Sequence, residues 1–571
     1  MSSNHLIVKA AIGSALGVGE SRRRLRGRIG GIVGFHTPEA DERLRSTLGH
    51  GAQVLSSAEQ LLIDADSVLL DECPLITQAA WRQALAGDRL PSLTGAFALA
   101  WADSEGSLHL ARDGVGERTL FYAECKIGFV FGSSIRAVLA TGLVPRRINR
   151  RAVATYLTYA YLPGRETLAE GVFELLPGEH LIIRDRQIKR QLFWTLPGPP
   201  ASIHDQETLT QQLRERLETA MRRLLPSVEE PVGATLSGGL DSSLVVALAR
   251  KLHPAPVYTF SVSFGAEFAN ELPFSSQVAE HCRTDHRIVE LSPAVVLHYL
   301  DQSIAILSDP IGDPLTVPNA LLFREAAQHV GVVLNGEGGD PCFGGPKNLP
   351  MVLAELYSHG SKFSREASYL RAHLKCYDEL AELLSGSVRH AITSAPLEDE
   401  LAEFLNDARW PDFVGRLQSI NIRLKGGHHI LPKVDALSFP FGVVPRAPLF
   451  DRGVVEHSLS IPANLKLHGS IEKYLLKRAV ADLLPKTILE RPKSGMLVPV
   501  EGWFKGPLLP AARERLLDGL TQYDICQRPY LERLLAGNLG GLRPRHGAKI
   551  WLLVTLEAWL RSLISGDKST S

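Results

Sequence analysis

The chain has 571 residues, 45% hydrophobic and 22% charged, which are ordinary values for a soluble globular protein of two to four domains. Its 62 basic side chains balance its 62 acidic ones, so the net charge argues against a nucleic-acid partner. Six scattered cysteines without CxxC or CxxH spacing argue against zinc and a disulfide framework, and no apolar run reaches the ~18 residues of a membrane helix, so we expect a cytoplasmic protein without a membrane partner.

The first 27 residues carry an apolar stretch followed by a basic cluster. A secretory signal has the opposite order, so we expect a flexible extension. From Ile29 to about Trp194, short apolar segments alternate with turn residues, as in GGIVGF, GAFALAWAD, SLHLARD and GFVFGSS. This spacing predicts antiparallel sheets in a domain over residues 28–195. The proline-rich stretch LPGPPAS, residues 196–202, predicts a linker.

After about residue 204 the pattern changes. An amphipathic helix, QETLTQQLRERLETAMRRLL, precedes the apolar strand VGATL, the loop SGGLDSS and the helical LVVALARKL. Strand, glycine-rich loop and helix in this order are typical of an α/β nucleotide-binding unit. VYTFSVSF and VGVVLNGEGGD indicate two further strands, and the remainder is predicted to be mostly helical. We expect a second domain over residues 204–565 and a tail over 566–571.

The loop from Ser237 to Ser243 is the candidate nucleotide site. Its glycines let the backbone approach phosphate oxygens, and the N–H groups at the start of the following helix favour an anion. Asp241 would repel phosphate, and a magnesium ion between the two resolves this conflict. The chain has no GxxxxGK[ST] sequence, so the loop differs from the lysine-bearing P-loop. The alternative is a strand–turn–helix corner that is merely rich in glycine and serine.

The loop resembles the pyrophosphate loop of the asparagine-synthetase-like ATP pyrophosphatases. The resemblance spans roughly residues 29–563, and its order and spacing are specific. Besides YTFSVSF, the matching segments are Asp309-Pro310, Asp313-Pro314 and Pro318; Asn335 to Asp340 with Phe343-Gly344-Gly345; Asp435, Ser438, Gly442, Arg446, Pro448 and Asp451; Lys473 to Leu476; and Arg491 to Gly495.

This resemblance implies an N-terminal Ntn-type α+β two-sheet glutaminase-like domain. It also implies a C-terminal doubly wound parallel-sheet synthetase domain of the adenine nucleotide alpha hydrolase type, with extra helices. ATP and Mg²⁺ are the implied cofactors, with Asp241 and Asp340 on the metal. Lys493 would neutralise charge that develops at the α-phosphate and pyrophosphate. The residues implied to bind ATP are Ser237, Gly238, Gly239, Leu240, Asp241, Ser242, Ser243, Val262 and Gly336.

The N-terminal half resembles a class II glutaminase domain in GGIVGF and ARDGVGERTLFY. In active members of that class a cysteine at the very N-terminus attacks glutamine. Here Gly30 stands at the corresponding position, and glycine has no nucleophile. Cys73 and Cys125 are not replacements, and we expect buried, inert thiols. The half-domain is therefore expected to be a structural or substrate-docking remnant.

Without a glutaminase, nitrogen must come from free ammonia or from an amine of the substrate. Relatives that lack the cysteine include β-lactam and carbapenam synthetases, which carry tyrosine where this chain has Glu337, and lasso-peptide cyclases. PCFGGPKN, from Pro341, and Val444 also depart from the pattern of asparagine synthetases. The chain most resembles a lasso-peptide cyclase. The alternatives are an ammonia-dependent asparagine synthetase and a non-catalytic binding protein that kept the fold.

A cyclase of this kind implies a precursor peptide as substrate, with a leader-peptide-binding protein and a leader protease as partners. ATP would adenylate an Asp or Glu side chain, and the N-terminal amine of the peptide would then close a macrolactam. The amine must be neutral to attack, so a base is needed. Glu337 is the first candidate, and His428 and His429, near the family's base-partner segment, are the others. A histidine pair in a loop is also common as simple surface structure.

Overall fold

The computed structural model of the chain describes residues 6–9, 28–34, 38–48, 52–55, 60–200, 205–268, 270–345, 363–393, 395–492, 497–539 and 545–564. Within these ranges, no helix combines the length and the apolar character needed to span a membrane. The chain divides into an N-terminal half built mainly from antiparallel strands and a C-terminal half built on a parallel sheet.

The N-terminal half contains twelve strands and four helices, counted within the described ranges. The strands are β1 (Leu6–Lys9), β2 (Ile29–Gly34), β3 (Gln53–Leu55), β4 (Leu61–Leu70), β5 (Cys73–Pro74), β6 (Leu93–Ala102), β7 (Leu108–Arg112), β8 (Phe121–Cys125), β9 (Gly128–Gly132), β10 (Val172–Glu174), β11 (Glu179–Arg184) and β12 (Gln187–Leu192). The helices are α1 (Pro38–Leu48), α2 (Gln78–Ala86), α3 (Ile135–Ala140) and α4 (Arg150–Tyr159).

Two sheets of this half pack face to face. One has the order β10-β8-β9-β2-β3 and the other β12-β11-β7-β6-β4-β5. Alternate apolar side chains from both sheets, among them Ile29, Leu62, Leu110 and Phe131, form a common buried core. Alternation with a period of two is what makes one face of each strand apolar, and it produces the predicted two-sheet fold.

The C-terminal half begins with α5 (Gln206–Leu224), which leads into the parallel sheet. Asp205 caps α5 by accepting hydrogen bonds from the backbone N–H groups of Glu207 and Thr208, both at 3.0 Å. The next elements are β13 (Val232–Thr235), α6 (Leu240–Leu252), β14 (Val257–Ser263), α7 (Leu272–Cys282), β15 (Asp285–Glu290), α8 (Pro293–Ile306), α9 (Thr316–Ala326), β16 (Val332–Leu334), α10 (Gly339–Phe343) and β17 (Val444–Arg446).

All strand pairs in this sheet are parallel, in the order β1-β15-β14-β13-β16-β17. The chain runs outward from β13 through β14 to β15, then returns to β16 on the other side of β13. The doubly wound fold was predicted, and it is confirmed. Such a reversal creates a crevice at the carboxyl ends of the two central strands, where ligands bind in this class of fold.

The strand β1 differs from the expectation of a flexible extension over residues 1–27. Leu6–Lys9 pair with Arg287–Glu290 of β15 and extend the parallel sheet by one strand. An unpaired edge of a sheet offers a row of backbone donors and acceptors, which these four residues satisfy. The domain boundaries themselves stay predictions.

Helices surround the parallel sheet and fill most of the remaining chain, as predicted. The stretch IWLLVTLEAWLRSLI belongs to a helix, His546–Ile564, that is buried along most of its length. The other segments are the α-helices Arg365–Ala372, Leu380–Leu383, Gly386–Ala391, Asp399–Leu405, Phe413–Ile420, Leu431–Ser438, Arg452–Ser460, Ala463–Lys466, Tyr474–Ala479, Lys486–Leu489, Val500–Trp503, Leu509–Glu514 and Arg528–Leu535, the π-helices Asn421–Ile430 and Arg515–Gly519, and the hairpin of β18 (Leu467–His468) and β19 (Ile471–Glu472).

Buried ion pairs join the two halves. Asp435 binds Arg118 at 2.8 Å and Arg28 at 2.9 Å, and Arg446 holds both carboxylate oxygens of Asp66 at 2.8 Å. Paired arginine–carboxylate contacts of this geometry fix orientation as well as distance. Asp435 and Arg446 therefore anchor the N-terminal half on the parallel sheet.

Candidate active site

A cavity of about 250 Å³ lies at the carboxyl ends of β13 and β16, where the strand order reverses. Its walls come from the loop after each of these two strands and from the end of β14. The predicted site residues that line it are Ser237, Asp241, Ser242, Val262, Gly336, Glu337 and Asp340. Segments about one hundred residues apart in the chain thus meet in one crevice, as the resemblance implies.

The loop after β13 turns sharply into α6. Gly238 has a φ of +77°, and a Cβ there would lie 2.5 Å from the backbone nitrogen of Ser275, so only glycine fits this turn. Gly239 precedes α6 without a side-chain cap, which leaves the N–H groups of the first turn for an anion. The hydroxyls of Ser237 and Ser242 lie 3.0 Å apart. The loop therefore has the backbone geometry of a phosphate site.

The other four predicted loop residues, Gly238, Gly239, Leu240 and Ser243, do not line this cavity. Gly239 and Leu240 face a smaller cavity of about 30 Å³ together with Lys473 and Arg491, and the Ser243 side chain is fully buried. Arg491 donates a hydrogen bond to the carbonyl oxygen of Gly238 at 3.0 Å, and this contact stabilises the loop. Lys493, predicted to neutralise charge on the phosphates, lies outside the described residues.

The loop after β16 approaches the first loop closely. A Cβ on Gly336 would lie 2.6 Å from the backbone nitrogen of Ser242, and a Cβ on Gly339 would lie 2.1 Å from Cγ of Asp241. Any larger residue would push the two loops apart. Gly336 and Gly339 therefore allow the contact between the two loops.

Asp241 and Asp340 meet at one cation, the ammonium of Lys473. Its Nζ lies 2.5 Å from Oδ2 of Asp241 and 2.5 Å from Oδ1 of Asp340. Burial disfavours the charged lysine, but the attraction of the two carboxylates outweighs it and raises the pKa of Lys473. Lys473 was not among the predicted site residues, although its place in the KYLL segment was a signal for it.

Glu337 lies on the other side of the cavity, near a second ion pair. Lys433 Nζ lies 2.5 Å from Oδ2 of Asp313, and His429 Nε2 is 3.7 Å from the same oxygen. Burial raises the pKa of Glu337, which the charge of Lys433 opposes only in part. Burial also lowers the pKa of His429 to about 4, against the pull of Asp313. Glu337 is thus a stronger base than an exposed glutamate, and His429 is neutral near pH 7.

The structure does not bring His428 to this cavity. Its Nδ1 lies 2.8 Å from Oε2 of Glu174 in the N-terminal half, and its side chain is 2% exposed. It lines a separate cavity of about 130 Å³ between the two halves. The expectation that His428 serves as a catalytic base is therefore not supported by its position, because its ring contacts Glu174 and does not line the cavity of the nucleotide loops.

Two family models match the chain. The asparagine synthase model matches residues 212–561, and the glutamine amidotransferase domain model matches residues 79–194. The chain belongs to the asparagine-synthetase family. Among its relatives, the glutamine-hydrolysing asparagine synthetase 1 of Bacillus subtilis is 26% identical, over 82% of this chain and 77% of that protein. A putative asparagine synthetase of Mycobacterium tuberculosis is 30% identical, over 74% and 69%.

A third relative has a different name. The amidase chry2 of Gibberella zeae is 24% identical, over 73% of this chain and 71% of that protein. Membership of the asparagine-synthetase family makes the chain an ATP-dependent carbon–nitrogen ligase that forms AMP. The cavity with Asp241 and Asp340 lies where the strand order reverses, which is the place where ligands bind in doubly wound sheets.

Gly30, which the resemblance places at the nucleophile position of the glutaminase domain, has no nucleophilic side chain. Gly30 lies inside β2, paired with Val54 and Gly132. A Cβ on Gly30 would lie 2.9 Å from Cδ1 of Leu48 and 3.1 Å from Cδ1 of Leu44, so apolar side chains occupy the space where a cysteine side chain would project.

The cysteines of the N-terminal half offer no substitute. Cys125 is buried at the end of β8, whereas Cys73, which was expected to be buried, is exposed on the edge strand β5. Cys73 sits at the edge because β5 ends its sheet. Neither thiol lies within β2, where the family's nucleophile would stand.

Proposed function

We propose that this ligase closes a macrolactam in a precursor peptide, as lasso-peptide cyclases do. It would adenylate the side-chain carboxylate of an Asp or Glu and join it to the N-terminal amine of the same peptide. The observation that supports this proposal is a contrast between the two halves. The ATP cavity contains the predicted phosphate loop and the carboxylates of Asp241 and Asp340. In the N-terminal half, Leu44 and Leu48 pack at the position of the glutaminase nucleophile. An enzyme whose substrate supplies the amide nitrogen needs no glutaminase.

ATP and Mg²⁺ fit the residues of this cavity. The loop from Ser237 to Ser243 would hold the phosphates, and Val262 lies where the adenine would pack. Asp241 and Asp340 would hold Mg²⁺, which neutralises phosphate charge when bound. No group of three or more His, Cys, Asp or Glu side chains suited to a metal occurs within the described ranges. Phosphate oxygens of ATP would therefore supply the remaining ligands.

The chemistry requires positive charge near Glu337 and Lys425, the part of the cavity that the substrate carboxylate would enter and that we call the acceptor side. A substrate carboxylate that approaches the α-phosphate brings one anion to another, and cations must offset the repulsion. Lys425 lines the cavity beside Glu337, and Lys433 lies behind them. One carboxylate oxygen would form a bond to the α-phosphorus as pyrophosphate leaves, and the acyl-adenylate would stay bound.

Amide formation then requires a neutral amine. Glu337, whose pKa burial raises, would take the proton of the N-terminal ammonium. The amine nitrogen would bond to the acyl carbon, and AMP would leave with the electrons of the broken carbon–oxygen bond. Since the peptide must be held folded during closure, orientation supplies a large part of the rate.

The test uses the purified protein, ATP, Mg²⁺ and the short peptides encoded beside its gene, each with and without its leader segment. We expect AMP and pyrophosphate only when a peptide is present, and a product lighter by one water in mass spectrometry. A leader-peptide-binding protein and a leader protease are the proposed partners in this assay. AMP formation without any change in peptide mass would overturn the proposal.

A second candidate is an ammonia-dependent asparagine synthetase. It is favoured by the relatives that carry the name asparagine synthetase. In this case aspartate and ammonium would suffice for AMP formation, and asparagine would be the product. The same assay, with aspartate and ammonium in place of the peptide, separates the two candidates.

A further inference from the structure

One element touches both the ATP cavity and the N-terminal half. Asn421–Ile430 form a π-helix of ten residues, whereas π-helical segments are usually a single turn and occur often at functional sites. It continues directly from the helix Phe413–Ile420 into the helix Leu431–Ser438. Lys425 and Ile430, both within it, line the ATP cavity. We call this element the long π-helix.

The face of the long π-helix that points away from the ATP cavity is held by buried charges. Arg112 is fully buried, and its Nη2 donates to the carbonyl oxygen of Gly427 at 2.8 Å. Its Nη1 donates to Oε1 of Glu174 at 2.7 Å, and Oε2 of Glu174 binds His428 Nδ1 at 2.8 Å. The three side chains form a continuous chain of charge-assisted hydrogen bonds, which are the stronger kind.

Close backbone packing accompanies these bonds. A Cβ on Gly427 would lie 2.7 Å from Cγ of Pro177, and a Cβ on Gly116 would lie 3.0 Å from Cα of Gly427. Arg423 donates to the carbonyl oxygen of Pro177 at 2.9 Å. The N-terminal half therefore contacts the long π-helix at Arg423, Gly427 and His428.

Lys425 of the long π-helix lines the ATP cavity together with Glu337. His429 comes directly after His428 and does not itself line that cavity. Its ring stacks on Tyr161 of the N-terminal half, with 5.2 Å between ring centroids, and lies 3.7 Å from Asp313. Each residue added to or removed from a helical turn rotates the residues beyond it by about 100°. A change of the long π-helix into an ordinary α-helix would thus turn Lys425 and His429 relative to the cavity.

We propose that the N-terminal half positions the acceptor side of the active site. It would do so by fixing the long π-helix through Arg112, Glu174 and His428, which are positioning residues and touch neither ATP nor the reacting atoms. The inference rests on the proposed function for what the acceptor side binds. The N-terminal half, which has no glutaminase nucleophile, would then serve to orient Lys425 and His429.

The test compares two substitutions of one residue. His428→Leu removes the donor to Glu174, whereas His428→Asn places an amide N–H near the position of Nδ1. Glu105→Gln is the control, because Glu105 forms an exposed ion pair with Arg184 in the same half. Hydrogen exchange of the backbone amides over residues 421–430, and the KM values for peptide and for ATP, are measured on the full chain.

We expect His428→Leu to speed exchange over residues 421–430 at least about tenfold and to raise the KM for the peptide by a similar factor, with the KM for ATP unchanged. His428→Asn and Glu105→Gln should behave like the wild type. Unchanged exchange in His428→Leu, or equal rises in both KM values, overturns the proposal. If His428→Leu does not fold, Glu174→Gln, which keeps the size and loses the charge, takes its place.

This design separates two failures. If the wild-type chain forms no AMP with any peptide or with aspartate, the proposed function fails. Hydrogen exchange over residues 421–430 needs no substrate, so in that case its response to His428→Leu alone supports or overturns the positioning role.

Discussion

The ammonium of Lys473 lies 2.5 Å from the carboxylate of Asp241. The same nitrogen is 2.5 Å from Asp340, so one lysine joins two acids from the two central loops of the parallel sheet. The Lys473 ammonium occupies the position between the Asp241 and Asp340 carboxylates that a divalent cation would take. The lysine therefore keeps the two carboxylates together before nucleotide arrives, and it marks the place where Mg²⁺ is proposed to bind.

Lys473→Met should destabilise the protein and make its stability depend on Mg²⁺. The variant leaves two neighbouring carboxylates without their shared cation, at a cost of about 3 kcal/mol in the free energy of unfolding. Millimolar Mg²⁺ should restore part of the lost stability, because the ion would bind the two neighbouring carboxylates in the folded state and not in the unfolded state. Denaturant unfolding with and without Mg²⁺ measures both effects. Lys477→Met, in the helix that directly follows Lys473, is the control, and equal stability of both variants would contradict the prediction.

Gly336→Ala should abolish ATP binding. A Cβ at this position would lie 2.6 Å from the backbone nitrogen of Ser242, so the two loops must separate. Calorimetry with ATP and Mg²⁺ should show a loss of affinity of at least about a hundredfold. Gly331→Ala is a matched control, because a Cβ on Gly331 meets nothing within 4 Å. Wild-type affinity in Gly336→Ala would show that the loops do not hold the phosphates.

Local patterns predicted the strand, loop and helix around Ser237, and the family resemblance predicted the rest of the fold and of the site. The order of strand, loop and helix around Ser237 places that loop at the end of β13, and a parallel sheet brings the loop after β16 beside it. Neither step requires knowledge of distant side chains. Asp241, Gly336 and Asp340 were expected at the site because of the family resemblance, and this topology explains why they lie together in the structure.

Contacts between distant segments could not be predicted in the same way. His428 and His429 are adjacent in the chain, yet one faces Glu174 and the other Asp313. The sequence HH contains no sign of this division, which depends on the path of the long π-helix. Lys473 was missed for a similar reason, since its importance comes from two acids more than a hundred residues earlier in the chain.

Gly30→Cys should not create a glutaminase. The residue lies within β2, its amide nitrogen belongs to a peptide bond, and its side chain would project toward Leu44 and Leu48. The free amine that assists the family's nucleophile is therefore missing. Glutamate release from glutamine should stay at background. Gly30→Ala should keep ATP-dependent AMP formation, because its methyl group would contact Leu48, Leu44 and the carbonyl oxygen of Phe131 in the N-terminal half and would not reach the ATP cavity. Measurable glutamine hydrolysis by Gly30→Cys would contradict this.

The pH dependence of amide formation should reveal which group is the base. A carboxylate base works only when ionised, so the rate falls as the pH drops through its pKa. Burial raises the pKa of Glu337 above its ordinary 4.5. This shift moves the fall in rate at low pH, the acid limb of the pH profile, toward neutral pH. His429, with a pKa lowered to about 4 by burial, stays neutral through the same range and contributes no limb there.

Glu337→Gln should therefore remove the acid limb and lower kcat by roughly 10²–10⁴-fold. His429→Asn should keep the limb where it is, because the titrating carboxylate remains. The measurement is kcat for product formation between about pH 5 and pH 9, at saturating ATP and peptide. If the acid limb persists in Glu337→Gln and disappears in His429→Asn, the histidine is the base and Glu337 is not. The reason is that only a group that titrates in this pH range can produce the fall in rate.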